Sequence, residues 1–283
     1  VVHVDADGNW MGGGEVFSDV GAALDAHADE PELVVFVHQK AGAYQENILI
    51  DAAHPLVALR AAAGESPLIE DDLAQATVAV TDGSVLYLHG LRIKHSVQGG
   101  ISVDGGKLWA SATQFTADTS GTAVVNNGGY IDLQNCFLTS NANNTNALHV
   151  DGSMFNVSYT TIVAGFTFMN NVGRALSCSG GSGGSLRNSL LITQSDAIEF
   201  ECPGLAPVSS AFETMIPGNT AIGLLMDASW FDDLPSGDLH LTDVAPMALS
   251  TAATWQPGDP PTDIDGEARP SESGPDYAGA DRP

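Results

Sequence analysis

Five residues near the middle of the chain carry groups suited to holding a sugar: Tyr87, Lys107, Trp109, Tyr130 and Asp132. Aromatic rings offer flat apolar faces to the axial hydrogens of a pyranose, while Lys107 and Asp132 would supply hydrogen bonds to its hydroxyls. Tyr87 and Trp109 are 22 residues apart, and Trp109 and Asp132 are 23 apart, as are Lys107 and Tyr130. If one turn of a repeating structure takes that many residues, these side chains form two adjoining columns. The competing expectation is that the N-terminal segment or the tail covers the rings.

A second set of residues has metal-ligating chemistry. Asp5-Ala-Asp7-Gly-Asn9 and Asp263-Ile-Asp265-Gly266 look like fragments of calcium loops, but neither has the bidentate acid that completes an EF-hand. Both therefore read first as charged turns, with Asp265 expected to pair with Arg269. The series Asp82, Asp104, Asn127 and Asp151 invites a ladder of Ca2+ ions. Asp and Asn before Gly are turn residues in the first instance, because they tolerate left-handed backbone and bond their own chain. Ca2+ is the one ion these groups suggest, and no other cofactor is expected. His89, Arg92, Lys94 and His95 form a small basic spot, where an anion could dock unless nearby acids take up the charge.

The whole-chain balance narrows the choice of partners. Nine Lys and Arg stand against 35 Asp and Glu over 283 residues, a net charge of −26. Phosphate backbones and anionic membrane surfaces would be repelled, so neither nucleic acid nor direct membrane insertion is expected. No apolar run approaches the ~18 residues of a membrane span. The three cysteines, Cys136, Cys178 and Cys202, have no metal-site spacing.

The elements that must position these groups come from an internal repeat. Gly83, Gly105, Gly128, Gly152 and Gly181 mark units of 22, 23, 24 and 29 residues. Three residues after the first four marks stand Leu86, Leu108, Ile131 and Phe155; two further on stand Leu88, Ala110, Leu133 and Val157. A second strand follows across a bend at His89-Gly90, Gln134-Asn135 and Arg187-Asn188. A third precedes each mark, as in Val78–Val80, Ile101–Val103, Leu148–Val150, Leu176–Cys178 and Ile198–Phe200. A unit of three such short strands cannot bury its own apolar face, so units must stack at the ~4.8 Å strand spacing into a parallel solenoid.

Residues 16–28 place Val16, Val20 and Leu24 on one helical face with Ser18 as N-cap, which predicts a helix closing the open end of the solenoid. Cys178 and Cys202, 24 residues apart, share inward parity on equivalent strands. A disulfide follows if register brings them together, whereas strict alignment sets Cys178 opposite Phe200. Cys136 reads as a small core residue. The whole of 1–283 is read as one domain: cap and opening strands over 1–50, regular rungs over 51–202, and degenerate rungs with a C-terminal cap or tail over 203–283.

Several segments resemble the right-handed parallel β-helix of the pectin-lyase-like superfamily. The opening DADGNW…FSDVGAALDAH…GAYQENILI is similar to that family's capping helix and G-x-Y-x-E-x-I strand, here Gly42, Tyr44, Glu46 and Ile48. The ending DIDGEARPSESGPDYAGAD is similar to the C-terminus of surface-anchored bacterial members. This resemblance implies an all-β, right-handed parallel β-helix that is secreted or anchored at a cell surface.

In the family's enzymes the substrate groove runs along the outer face of the strand before the first turn. Carried over by position, the outward residues are Ala79, Ser102, Val125, His149, Ser177 and Glu199, beside Thr81, Asp104, Asn127, Asp151, Ser179 and Glu201. Among them His149, Asp151, Glu199 and Glu201 are the candidates for general acid–base work on a glycan. That face lacks the Arg or Lys of polyuronate lyases. The expectation is accordingly a non-catalytic glycan-binding, adhesin or structural module whose partner is a polysaccharide or cell-surface glycan. The alternative is a polysaccharide-degrading hydrolase or lyase.

Overall fold

Leu86, Leu108, Ile131 and Phe155 stand opposite one another on successive parallel strands, and Leu88, Ala110, Leu133 and Val157 do so beside them. A computed structural model describes residues 1–71, 75–95, 99–118, 121–141, 145–165, 173–193, 199–223 and 226–283. Among these, three parallel sheets of nine, nine and seven strands run the length of the molecule. Each rung gives one strand to each sheet, as the repeat requires, and the fold is a right-handed parallel β-helix.

The first sheet holds Leu56–Ala61, Val85–His89, Lys107–Ser111, Tyr130–Gln134, Met154–Ser158 and Gly183–Arg187, preceded by Leu33–Val37, Val2–Val4 and Glu15–Phe17. The second includes Arg92–His95, Gln114–Ala117, Phe137–Ser140, Thr161–Ala164 and Leu190–Thr193. The third includes Val78–Thr81, Ile101–Asp104, Val124–Asn127, Leu148–Asp151, Leu176–Ser179 and Phe200–Glu201. Inward apolar columns from all three, such as Ile93, Phe115, Leu138, Ile162 and Leu191, fill one continuous core.

Between the first and second sheets the chain bends through left-handed backbone at Gly90, Ala112, Asn135, Tyr159, Asn188 and Ser209. An L residue pays for that conformation, and Asn pays least among those present apart from Gly. Asn135 and Asn188 also work as clamps: Asn135 Nδ2 donates to Thr262 O at 2.8 Å, and Asn188 Nδ2 donates to Thr254 O at 3.1 Å. Both acceptors belong to the C-terminal segment.

The helix that closes the N-terminal end is shorter than expected, Val20–Ala26, and its N-cap is Asp19 instead of Ser18. Asp19 Oδ1 accepts from Ala22 N at 2.7 Å, while Ser18 only donates to Asp19. Val16 lies in the strand Glu15–Phe17 and is exposed, so the buried helical face is Val20, Ala23 and Leu24. Glu46, between the strands Tyr44–Gln45 and Ile48–Ile50, accepts from Val20 N and Gly21 N at 3.1 and 2.8 Å. It thereby satisfies two amides that the helix cannot bond internally.

Residues beyond 203 do more than cap an end. Two antiparallel pairs, Phe231–Asp233 with Asp238–Leu241 and Ala253–Trp255 with Gly274–Asp276, lie along the outer face of the second sheet. Trp230, Phe231, Leu234, Leu249 and Trp255 pack there on Phe137, Tyr159, Val163, Leu190 and Ile192. This second core explains why Phe137–Ser140, Thr161–Ala164 and Leu190–Thr193 are buried on both faces, with no polar alternation. The tail thus covers the second sheet and leaves the aromatic face of the first sheet open.

Candidate functional site

The outer face of the first sheet presents three side-by-side columns. One runs Ala58, Tyr87, Trp109, Asp132, Asn156; the second runs Val85, Lys107, Tyr130, Met154; the third runs Phe36, Arg60, His89, Ser111, Gln134. Parallel pairing sets rungs ~4.8 Å apart, and the rings meet at that spacing. Tyr87 and Trp109 stack with centroids 5.1 Å apart and planes 15° apart, and Trp109 and Tyr130 lie 5.4 Å apart at 49°. Ala58 opposes Tyr87 on the preceding rung, so no bulky side chain covers that side of the Tyr87 ring. Tyr87 is 43% exposed.

Two hollows follow from this arrangement. One, of about 450 Å³, is lined by Ala58, Arg60, Tyr87, His89, Trp109 and Asp132 among others. The second, also about 450 Å³, lies on the other side of Trp109 and is lined by Lys107, Tyr130, Met154 and the glycines of two successive corners. Two of those glycines are required for packing: a Cβ on Gly106 would lie 2.6 Å from Thr81 O, and one on Gly129 would lie 2.6 Å from Gly106 O. The corners stay flat, and Lys107 and Tyr130 rise beside them.

Asp132 is the carboxylate of this face. Its Oδ2 accepts from Asn156 Nδ2 at 3.0 Å and from the Tyr130 hydroxyl at 3.3 Å. Burial first, and then the Asp132 charge, pushes the Tyr130 phenol above its ordinary pKa. His89 is pushed below the usual imidazole range by partial burial and next by the neighbouring Arg60, and its Nδ1 lies 2.9 Å from Ser111 Oγ. Arg60 and Lys107 have no salt-bridge partner among the described residues. Five of the nine cations do: Lys94, Arg174, Arg187, Arg269 and Arg282.

The structure therefore brings Tyr87, Lys107, Trp109, Tyr130 and Asp132 onto one open face. Arg60, His89 and Ala58 belong with them. Their signal in the sequence was strand parity, since residues two apart on a strand share a face, but the rung at Leu56–Ala61 lacks the glycine corner that marks the later ones.

The acid–base candidates on the third sheet do not converge. His149 and Asp151 stand on one strand and Glu201 pairs in register with Ser177. Glu201 is bound to Arg174 at 3.0 Å, and Asp151 accepts from Ser179 Oγ at 2.7 Å. Glu199 is not outward: it precedes the strand, is fully buried, and accepts from Thr214 N and Oγ1 at 2.7 and 2.8 Å. The register differs from the expected one by two residues. Leu176 pairs with Phe200, which sets Cys178 against Cys202 with Cα atoms 4.6 Å apart and the sulfurs bonded. Ile198 lies outside the described residues.

The proposed ladder of acids is also altered. Asp104 pairs with Thr81, so Asp82 stands outside the column, and Asn127 Nδ2 donates to Asp104 Oδ1 at 2.8 Å. Asp5 is buried and takes the amides of Asp7, Gly8 and Trp10, and Asp7 takes that of Ala41. That loop is a turn held by its own backbone. Lys94 is neutralised by Asp118 and Glu70. Arg269 pairs with Asp276 at 3.0 Å and not with Asp265, which contacts His240 Nε2 at 2.9 Å.

Among the described residues no helix is long and apolar enough to cross a membrane. No family model matches the chain, and no curated protein matches it. Among solved structures it is similar to the pectin methylesterase from Aspergillus niger in deglycosylated form, with 14% identity over 81% of this chain and 92% of that one and a TM-score of 0.42. The same enzyme carrying an N-acetylglucosamine stub aligns over the same shares at 14% identity with a TM-score of 0.33.

Proposed function

We propose that this chain is an exported protein that binds an acidic polysaccharide lengthwise along the outer face of its first sheet. The observation that carries the reading is the uncovered row Tyr87–Trp109–Tyr130 flanked by Arg60 and Lys107. In a chain of net charge −26, cations with no carboxylate partner among the described residues, beside an open aromatic row, suit an anionic, ring-shaped ligand. From Phe36 to Tyr130 the face spans four strand spacings, roughly 19 Å, which fits an oligosaccharide better than a single sugar. The Cys178–Cys202 bond supports an oxidising compartment.

A second reading is turnover of the same polysaccharide at Asp132, the carboxylate that Tyr130 and Asn156 orient within the groove. It lines one hollow with His89 and Arg60, which stand two and three rungs away, and in this reading replaces the third-sheet set as the place for acid–base chemistry. A panel of acidic and neutral polysaccharides, run as affinity electrophoresis and as a turnover screen, tests both readings. Retardation by acidic polymers that is clearly weakened in Trp109→Ala supports binding. Turnover abolished by Asp132→Asn with binding retained supports catalysis. Equal retardation by neutral and acidic polymers would overturn the acidic-ligand assignment.

A further inference from the structure

The C-terminal segment carries a cluster that the polysaccharide face does not use. His240 Nε2 and oxygens of Asp265 and Asp281 lie within 4.8 Å of one another. The three residues come from separate stretches: the strand Asp238–Leu241, the turn at Asp263–Gly266 and the end of the chain. On its other side the His240 ring meets Asp238 through Nδ1, and the ring stands edge-on to Phe137 at 4.9 Å and 85°. Its orientation is fixed on both flanks.

We propose that His240, Asp265 and Asp281 bind a divalent transition ion of the Zn2+ class. A metal-binding imidazole ordinarily gives its second nitrogen to a carboxylate, which fixes the tautomer and raises ligand basicity, and Asp238 occupies that position. One imidazole with two carboxylates makes a three-ligand set with room for a further oxygen, as zinc accepts. Ca2+ would need six to eight oxygens.

A second, independent feature points the same way. Asp263 is only 2% exposed, and its Oδ1 is taken by the amides of Asp265 and Glu267 at 3.1 and 2.8 Å. Its buried Oδ2 has no hydrogen-bond partner among the described residues. Asp263 lines one cavity of about 530 Å³ with His240 and Asp265. A buried carboxylate oxygen left unmatched is costly, and a cation at this cluster would compensate it. The ion would pin the strand Asp238–Leu241 to the closing turn and to the chain end. It would sit next to the glycan face, because His89 lines both hollows.

The test uses the full chain stripped with EDTA and titrated calorimetrically with Zn2+, Mn2+ and Ca2+ near neutral pH, with Co2+ as a spectroscopic probe. One Zn2+ per chain is expected, bound at least tenfold more tightly than Ca2+, with a rise in melting temperature and a Co2+ visible spectrum of low coordination number. Asp265→Asn should weaken Zn2+ at least tenfold and Asp238→Asn about 10- to 100-fold, while Trp109→Ala leaves it unchanged. Asp238→Asn leaves all three ligands in place, so it still reads out if Asp265→Asn fails to fold. Preference for Ca2+, no saturable Zn2+ site, or Zn2+ binding indifferent to both variants would overturn the assignment.

Discussion

The Arg269 guanidinium lies 3.0 Å from Asp276 with both side chains wholly buried, and it stacks 4.0 Å over the Tyr159 ring. Its second nitrogen donates to the carbonyls of Gly279 and Ala280 at 3.0 and 3.1 Å. One residue of the closing turn thus joins the antiparallel tail to a bend of the solenoid.

Removing one partner of a buried ion pair strands the other, so Arg269→Ala should cost about 3–5 kcal/mol. Urea unfolding would register it. A smaller loss is expected for the double variant Arg269→Met with Asp276→Leu, because it leaves no buried charge behind. Equal losses for the two would mean that shape, not charge, makes the contact.

The corner glycines give a second expectation. Gly129→Ala puts a Cβ 2.6 Å from the Gly106 carbonyl, a distance real side chains do not reach. The adjoining rungs must separate, at about 1–3 kcal/mol. Gly83→Ala meets nothing within 4 Å but sits at φ +83°, so its cost is backbone strain alone, about 1 kcal/mol. Circular dichroism melts of the pair would rank them.

Glu213 makes part of the stability pH-dependent. Burial pushes its carboxyl up to about 7, against the amides of Thr193 and Met226, which favour the charged form. The unfolded chain releases this proton near 4.5 and the folded chain holds it until about 7, so the folded state binds more protons between those values. This group's contribution is therefore full below pH 4.5 and declines as pH rises to 7, by on the order of 3 kcal/mol. In Glu213→Gln the slope of stability over that window should flatten. An unchanged slope in urea titrations at pH 5 and 7.5 would show that Glu213 does not set it.

Cys136 is wholly buried and its thiol is pushed up to about 12. Thiolate is the reactive form, so at pH 8 a thiol reagent should modify Cys136 only after denaturant is added. Modification in native buffer would contradict its place in the core.

The rungs were legible in the sequence because Leu86, Leu108, Ile131 and Phe155 must all fill the same interior, and turn glycines mark each corner. Two things were not. Glu199 was assigned outward because the spacing between glycine marks does not reveal a two-residue change of register between Leu176 and Phe200. The burial of the second sheet's outer face was equally hidden. Val163 and Ile192 look outward by parity until Trp230 and Trp255, far along the chain, cover them. The ring columns could be read because residue type and parity agreed. Arg60 was missed because its rung carries no glycine mark.

The claim that the first sheet grips an acidic polysaccharide is tested most directly by calorimetric titration of wild type and Trp109→Ala with an acidic oligosaccharide long enough to span four rungs. Loss of one stacked ring is worth about 0.5–1.5 kcal/mol. Affinity should therefore fall roughly three- to tenfold in Trp109→Ala and further in Arg60→Ala, with the circular dichroism spectrum unchanged and binding weakening as salt rises. Binding that is identical in wild type and both variants, or absent in wild type for every acidic oligosaccharide, would contradict it.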